Sequence, residues 1–234
     1  MDRVVNADEM LKKLASEAAA QGDAVRETVR ALALKALQNR ELSLTQIKSV
    51  LKTVTEGVSL GVAEENFDAE KVFADALAGM DDALLKAVQA SQLALERLTS
   101  QGRDFQESYV KKAIDDLERL EDEWLKTVKE ASSNANERVK EQWSNVLKHT
   151  GRGDTETGAQ VKAAVDQFQK QMRATGRESR ALSLKATELL SENFATLASG
   201  VLIGLSEAYQ QKDGVMLAAS SSARAAPRRS RKAP

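Results

Sequence analysis

The position of proline is the sequence feature that most constrains this fold. The chain has only two prolines, Pro227 and Pro234, so residues 1–226 contain none. Proline removes a backbone donor and clashes with the preceding helical turn, and loops of globular chains commonly contain several. The sequence therefore permits very long, uninterrupted helices.

The composition favours helices as well. Hydrophobic residues make up 42% of the chain but aromatic residues only 4%, so small and aliphatic side chains must fill the core. A chain rich in Ala, Leu, Glu, Gln and Lys is typical of long helices and coiled coils. We predict an all-α fold.

Residues 1–102 are predicted to form short N-terminal helices. Gly22 suits the C-cap of a first helix, and Ser43 with Gln46 forms a capping box at the start of a third. Two glycines in the stretch Gly57 to Asn66 predict a turn or an interrupted helix, and Gly79 predicts a kink or a break in the next helix.

Residues 103–213 are predicted to form a long antiparallel helical hairpin. Its first arm has no strong breaker from Asp104 to Gly151, and as one helix of about 46 residues it would reach about 69 Å. The glycine-rich loop GRGDTETG then leads into the second arm. Apolar residues at heptad spacing predict a coiled-coil seam: Val110, Ile114, Leu117, Trp124, Val128, Val139, Trp143, Val161, Val165, Phe168 and Met172. In the first arm, Glu121 occupies a position of the same stripe.

An apolar window, FATLASGVLIGL, runs from Phe194 to Leu205 near the end of the second arm. Its 12 residues are too few to cross a bilayer, which needs about 20. The spacing of Gly200 and Gly204 suits close helix packing inside a bundle, whereas the apolar content suits adsorption to a hydrophobic phase. The candidate contact residues for a surface or partner are Phe194, Leu197, Val201, Leu202, Ile203 and Leu205.

Residues 214–234 are predicted to be a disordered basic tail. Its basic residues are Arg224, Arg228, Arg229, Arg231 and Lys232. The whole chain has a net charge of −1, so the rest of the chain carries −6. Such a tail binds nucleic acid or acidic partners weakly and in a salt-sensitive manner, or it serves only to keep the terminus soluble.

Few side chains are suited to catalysis. The chain has no cysteine, and its single histidine, His149, stands beside the glycine-rich loop. The acidic residues of the first arm alternate with Lys and Arg, which is the pattern of a solvated helix face. We therefore expect no enzymatic activity, no cofactor and no metal site. The N-terminus has no apolar stretch of signal-peptide length, so we expect a cytoplasmic protein.

Three segments resemble phasins, the bacterial proteins that coat polyhydroxyalkanoate storage granules. They are WLKTVKEASSNANERVKEQWSNVL, SRALSLKATELLSENFATLASG and the tail AAPRRSRKAP. The resemblance implies a non-enzymatic amphiphile that adsorbs to polyester granules and forms homo-oligomers through coiled coils. The alternative is a coiled-coil scaffold or adaptor that oligomerises and docks protein partners through the hairpin.

Overall fold

The predicted all-α fold is confirmed by a computed structural model. The structure describes residues 6–38, 40, 42–63, 69–100, 107–150, 155–175, 198, 200–205 and 207, without the side chains of 98–100, 107–111 and 171–175. Seven helices lie in the continuous stretches: α1 (Ala7–Gln21), α2 (Val25–Gln38), α3 (Leu44–Ala63), α4 (Ala69–Ser100), α5 (Glu107–Ser132), α6 (Glu137–Lys148) and α7 (Glu156–Thr175). Residues 198, 200–205 and 207 are helical too.

The predicted helix ends at Gly22 and Ser43 are confirmed. Gly22 adopts a left-handed conformation with φ of 69°, and its N–H donates to the carbonyl of Ala19 at the end of α1. The Ser43 hydroxyl accepts a hydrogen bond of 3.3 Å from the backbone N–H of Gln46. Both contacts satisfy backbone groups that a helix end leaves unpaired.

The prediction of a turn or an interruption from Gly57 onward was wrong as far as Ala63, because α3 continues through both glycines. A Cβ at Gly57 would overlap the carbonyl oxygen of Lys12, and one at Gly61 would overlap that of Ser16. The order of these contacts makes α1 and α3 parallel. These glycines therefore allow two backbones to approach closely; they do not break the helix.

The predicted break at Gly79 was also wrong, because α4 is continuous from Ala69 to Ser100. A Cβ at Gly79 would overlap the carbonyl oxygen of Arg26 in α2. One turn further along α4, Asp82 accepts two hydrogen bonds from the Arg26 guanidinium, at 2.8 and 2.9 Å. This bidentate pair raises the pKa of Arg26 above its ordinary value. Glycine again provides close contact between helices.

The first arm of the expected hairpin consists of two helices. The prediction of a single helix of about 69 Å was therefore wrong. Helix α5 ends at Ser132, and α6 begins at Glu137. Asn136 caps α6, because its side-chain oxygen accepts a hydrogen bond of 3.0 Å from the N–H of Val139. The break lets α6 pack against both α4 and α5.

The residues predicted as the seam are buried wherever their side chains are described. These nine are Ile114, Leu117, Trp124, Val128, Val139, Trp143, Val161, Val165 and Phe168. The side chains of Val110 and Met172 lie outside the described part of the structure. All nine belong to one core with residues of α1 to α4, so this core crosses the domain boundary predicted at residue 102.

Trp143 joins α6 to the N-terminal helices. Its ring stacks on Phe73 of α4 with the ring centroids 4.4 Å apart. Its Nε1 donates a hydrogen bond of 2.9 Å to the buried hydroxyl of Ser59 in α3. The largest side chain of α6 therefore packs on both α3 and α4.

Candidate functional site

The structure places the predicted surface-contact residues of the C-terminal window in different environments. Leu202 is fully buried in the core, and Val201 and Leu205 pack partly against that core. Ile203, the next residue after Leu202, keeps 41% of its surface exposed. Phe194 and Leu197 lie outside the described residues. The window is therefore apolar both on the side that faces the bundle and on a side that faces solvent.

The two glycines of the window do not make a close helix contact with the described residues. Gly200 and Gly204 are both exposed, and a Cβ built on either one would meet nothing within 4 Å. The spacing that suggested close packing at these positions is instead used at Gly57 and Gly61 in α3.

A second feature is the way α4 holds the start of α7. The carboxylate of Asp81 in α4 accepts hydrogen bonds from the backbone N–H groups of Glu156 and Thr157, at 3.0 and 3.2 Å. The Thr157 hydroxyl donates to the carbonyl oxygen of Asp81 at 3.0 Å. Because the first N–H groups of a helix have no partner within it, a carboxylate there satisfies them and interacts favourably with the helix dipole. Asp81 thus caps α7 from a neighbouring helix.

Helix α5 contributes a second carboxylate at the same end of α7. Glu121 is only 6% exposed, and its carboxylate accepts a hydrogen bond of 2.5 Å from the Thr155 hydroxyl. That hydroxyl also accepts from the N–H of Gly158 at 2.9 Å. A Cβ at Gly158 would overlap the Glu121 carboxylate. A buried acid at a heptad position is therefore accommodated by a glycine and a threonine of α7.

Further along, α4 and α7 are joined by an amide network. Gln92 accepts from Gln160 and donates to Gln167, both at 2.9 Å. Glu96 accepts hydrogen bonds from Gln167 at 2.9 Å and from Gln92 at 3.2 Å. The order of these contacts from Asp81 to Glu96 makes α4 and α7 parallel. We call the contacts of Asp81, Glu121, Gln92 and Glu96 with α7 the polar latch.

A groove of about 320 Å³ lies beside the start of α7, between α4, α5 and α6. Trp124 lines it, although that side chain is only 1% exposed. Among the described residues the Trp124 Nε1 is buried without a hydrogen-bond partner. The remaining lining residues combine apolar and polar groups: Glu70, Ala74, Leu77, Ala78, Asp81, Val146, His149, Thr150 and Thr155. The groove thus opens beside Thr155, next to the first turn of α7.

The remaining residues considered in the sequence analysis are the single histidine, the acidic residues of α5 and the basic residues of the tail. His149, the single histidine, is exposed at the end of α6 and lines the groove. The acidic residues Asp115 and Glu118 are exposed on α5, as expected of a solvated face, but that expectation was wrong for Glu121, which is buried against Thr155. The basic tail residues Arg224, Arg228, Arg229, Arg231 and Lys232 lie outside the described residues.

A close ion pair lies between α3 and α5. The ammonium of Lys48 lies 2.6 Å from the carboxylate of Glu123. The hydrogen bond from Lys48 and its positive charge lower the pKa of Glu123 below its ordinary value. The pair joins the N-terminal helices to the first helix of the predicted hairpin.

The described residues contain no group of three or more His, Cys, Asp or Glu side chains that could hold a metal ion. Within the same residues, no helix is both long and apolar enough to cross a membrane.

Comparison with known proteins identifies the family of this chain. Residues 2–211 match the model of a family of unknown function, DUF6781. Since the match covers most of the 234 residues, the chain belongs to this family. Neither the curated proteins nor the solved structures that were compared with the chain gave a match.

Proposed function

We propose that this chain is a non-catalytic helical protein that coats a hydrophobic surface in the manner of a phasin. The surface in the proposal is that of a polyhydroxyalkanoate storage granule in the bacterial cytoplasm, and the coat consists of homo-oligomers. The observation that supports it is the C-terminal window, in which buried Leu202 is followed directly by exposed Ile203. A segment with apolar side chains both on the side facing the bundle and on an exposed side can contact the bundle and a second apolar phase.

The energetics of adsorption follow from the burial of these residues. Moving apolar surface out of water stabilises by about 25 cal/mol per Å² whether the other phase is a protein core or a polyester. Ile203 is 41% exposed, so its contact with a granule would remove apolar surface from water without disturbing the core. Leu202 would exchange one apolar contact for another. Adsorption through this segment can therefore begin at Ile203.

The resemblance of three segments to phasins supports the same proposal. Phasins contact their granules through amphipathic helices, and the present chain is helical throughout its described residues apart from short turns. Within this proposal the basic tail, residues 224–232, makes salt-sensitive contacts with nucleic acid or acidic partners.

The test is binding of the purified chain to polyhydroxybutyrate particles, measured by co-sedimentation. Ile203→Asp places a charge in the proposed contact, and we expect the affinity for the particles to fall at least tenfold. Leu93→Asp is the matched control, because Leu93 is 39% exposed on α4, outside the window. Equal binding by the two variants, or no binding by the wild-type chain, would contradict the proposal.

A second candidate function is a scaffold that oligomerises and docks protein partners. It is favoured by Met10 and Leu14, which are 45% and 38% exposed and lie one turn apart on α1. Large apolar side chains in this arrangement suit a helix-to-helix contact with another protein. Light scattering of the wild-type chain and of Met10→Glu with Leu14→Glu tests it. If the chain is such a scaffold, the wild type forms an oligomer and the double variant does not. The wild type should also fail to bind polyester particles.

A further inference from the structure

We propose that the groove between α4, α5 and α6 binds a small organic cation that has an apolar body and a hydrogen-bond acceptor. The groove is a different part of the molecule from the C-terminal window, and the inference does not depend on adsorption to a granule. Two observations support it. Trp124 lines the groove with a buried indole N–H that has no partner among the described residues, and the groove is lined by carboxylates.

The shape of the groove suits a small molecule. Its volume of about 320 Å³ lies at the lower end of the range of small-molecule sites in proteins. Helix α4 forms one wall over about three turns, because its lining residues recur at helical spacing and the helix rises about 16 Å from the first to the last. These residues are Glu70, Ala74, Leu77, Ala78 and Asp81. Between its two acidic residues this wall is apolar, so it suits an apolar body.

The indole N–H of Trp124 is a donor without an acceptor. The side chain is 1% exposed, and its Nε1 has no hydrogen-bond partner among the described residues. By contrast, the Nε1 of Trp143, which is also fully buried, donates to Ser59 at 2.9 Å. Buried polar groups are nearly always paired, and a hydrogen bond in a buried environment is stronger than one in water. Because Trp124 lines the groove, a ligand acceptor at the groove floor would supply the missing partner.

The charges around the groove favour a cation. Its described lining residues include the carboxylates of Glu70 and Asp81 and the imidazole of His149, but no lysine or arginine. Asp81 belongs to the polar latch, and the N–H groups of Glu156 and Thr157 balance part of its charge. Glu70 is exposed in the first turn of α4, so its carboxylate is the one that can meet an ammonium group of a ligand. The groove therefore attracts a cation and repels an anion of the same shape.

Nuclear magnetic resonance of the indole N–H groups tests the inference, because the chain has only two tryptophans. In a nitrogen-labelled sample each indole N–H gives one signal, and Trp124→Phe assigns the signal that it removes. The probe is para-methoxyphenethylamine, which combines an ammonium group, an apolar ring and an ether oxygen as acceptor. We expect a saturable shift of the Trp124 signal at neutral pH. The Trp143 signal should stay in place, because that N–H is bonded to Ser59.

Two related probes separate the contacts. Phenethylamine lacks the ether oxygen, and we expect it to bind about fivefold more weakly, as for the loss of one hydrogen bond. The anion para-methoxyphenylacetate keeps the ring and the ether oxygen but reverses the charge, and we expect it to leave both indole signals unchanged. Equal binding of the amine and the carboxylate would overturn the inference.

Substitutions in the groove locate the binding site. Ala74→Phe places a ring in the groove and should abolish the shift, whereas Ala31→Phe changes an exposed alanine of α2 outside the groove and should leave it unchanged. Glu70→Gln should weaken binding about threefold, as for an exposed ion pair, and Glu118→Gln on α5 should not. Undiminished binding by Ala74→Phe, a shift of both indole signals, or no shift in the wild-type chain would overturn the inference.

Discussion

The hydroxyl of Thr155 donates a hydrogen bond of 2.5 Å to the buried carboxylate of Glu121, and so joins α7 to α5. The same oxygen accepts from the N–H of Gly158 and caps α7. Asp81 of α4 binds the neighbouring N–H groups of Glu156 and Thr157. Three helices therefore meet at one turn, and the contacts between them at this turn are largely polar.

Removal of the Thr155 hydroxyl should destabilise the chain. Thr155→Val keeps the shape of the side chain but leaves the Glu121 carboxylate without this donor, in a position that is 6% exposed. We expect the free energy of unfolding to fall by about 1–3 kcal/mol, which is the usual effect of losing one partner of a buried polar pair. Urea unfolding followed by circular dichroism measures the change.

Two further variants separate the hydrogen bond from other effects of this substitution. Thr155→Ser keeps the hydroxyl, so its unfolding free energy should stay close to that of the wild type. Thr155→Val combined with Glu121→Leu removes both partners, and it should be less destabilised than Thr155→Val alone. A double variant that shows the simple sum of the two single effects would mean that the two side chains are not coupled.

The two pairs of glycines with GxxxG spacing should respond in opposite directions to alanine. Gly61→Ala would force a Cβ into the carbonyl oxygen of Ser16, and we expect a loss of about 1–3 kcal/mol, as for other overpacked sites. Gly204→Ala meets open space in a helical segment, so the better helix propensity of alanine should stabilise by up to about 1 kcal/mol. Thermal unfolding of both variants provides the comparison, and equal midpoints would contradict it.

Periodicity was sufficient to predict that the chain is helical, together with much of its core. The four-three spacing selected Trp124, Val128, Trp143 and Phe168, all of which are buried. Heptad spacing does not identify the helix on the other side of each residue, however. The ring of Trp143 packs on Phe73 of α4 and its Nε1 bonds to Ser59 of α3, both of which lie about 70 or more positions away.

Glycine was the residue that sequence reasoning misjudged. Low helix propensity at Gly57 and Gly61 predicts a turn or an interrupted helix, and at Gly79 a kink or a break, but tertiary contact outweighs that local effect and both helices continue through these glycines. The true break before Asn136 had a signal in the run Ser132-Ser133-Asn134, whose side chains favour caps and turns. Asp81 gave no comparable signal, because its role as a cap depends on a helix 75 positions away.

Acid should weaken the contact between α3 and α5. Lys48 lowers the pKa of Glu123 below its ordinary value of 4.5, so the folded state binds this proton less readily than the unfolded state. A lowered pKa contributes stability that is present above the unfolded value and is lost as the pH falls through the folded one. We therefore expect the stability difference between wild type and Lys48→Met to be present at neutral pH and to shrink below pH 4.5.

Urea unfolding at a series of pH values tests this dependence. Lys162→Met, an exposed substitution on α7, controls for the loss of one positive charge. A constant difference between wild type and Lys48→Met from neutral to strongly acidic pH would show that the Glu123 ion pair does not contribute to stability.

Loss of the Asp81 carboxylate should loosen α7 more than any other helix. In Asp81→Ala the N–H groups of Glu156 and Thr157 lose their acceptor, and the loss of a cap typically destabilises a helix by about 1 kcal/mol. Hydrogen exchange followed by mass spectrometry should therefore show faster exchange in α7, while α1 and α3 keep their protection because glycine-mediated contacts hold them together. Asp75→Ala removes an acid that is paired with Lys71 within α4, and it should leave the exchange of α7 unchanged. Faster exchange spread evenly over all helices of Asp81→Ala would mean that α7 opens only when the whole bundle unfolds.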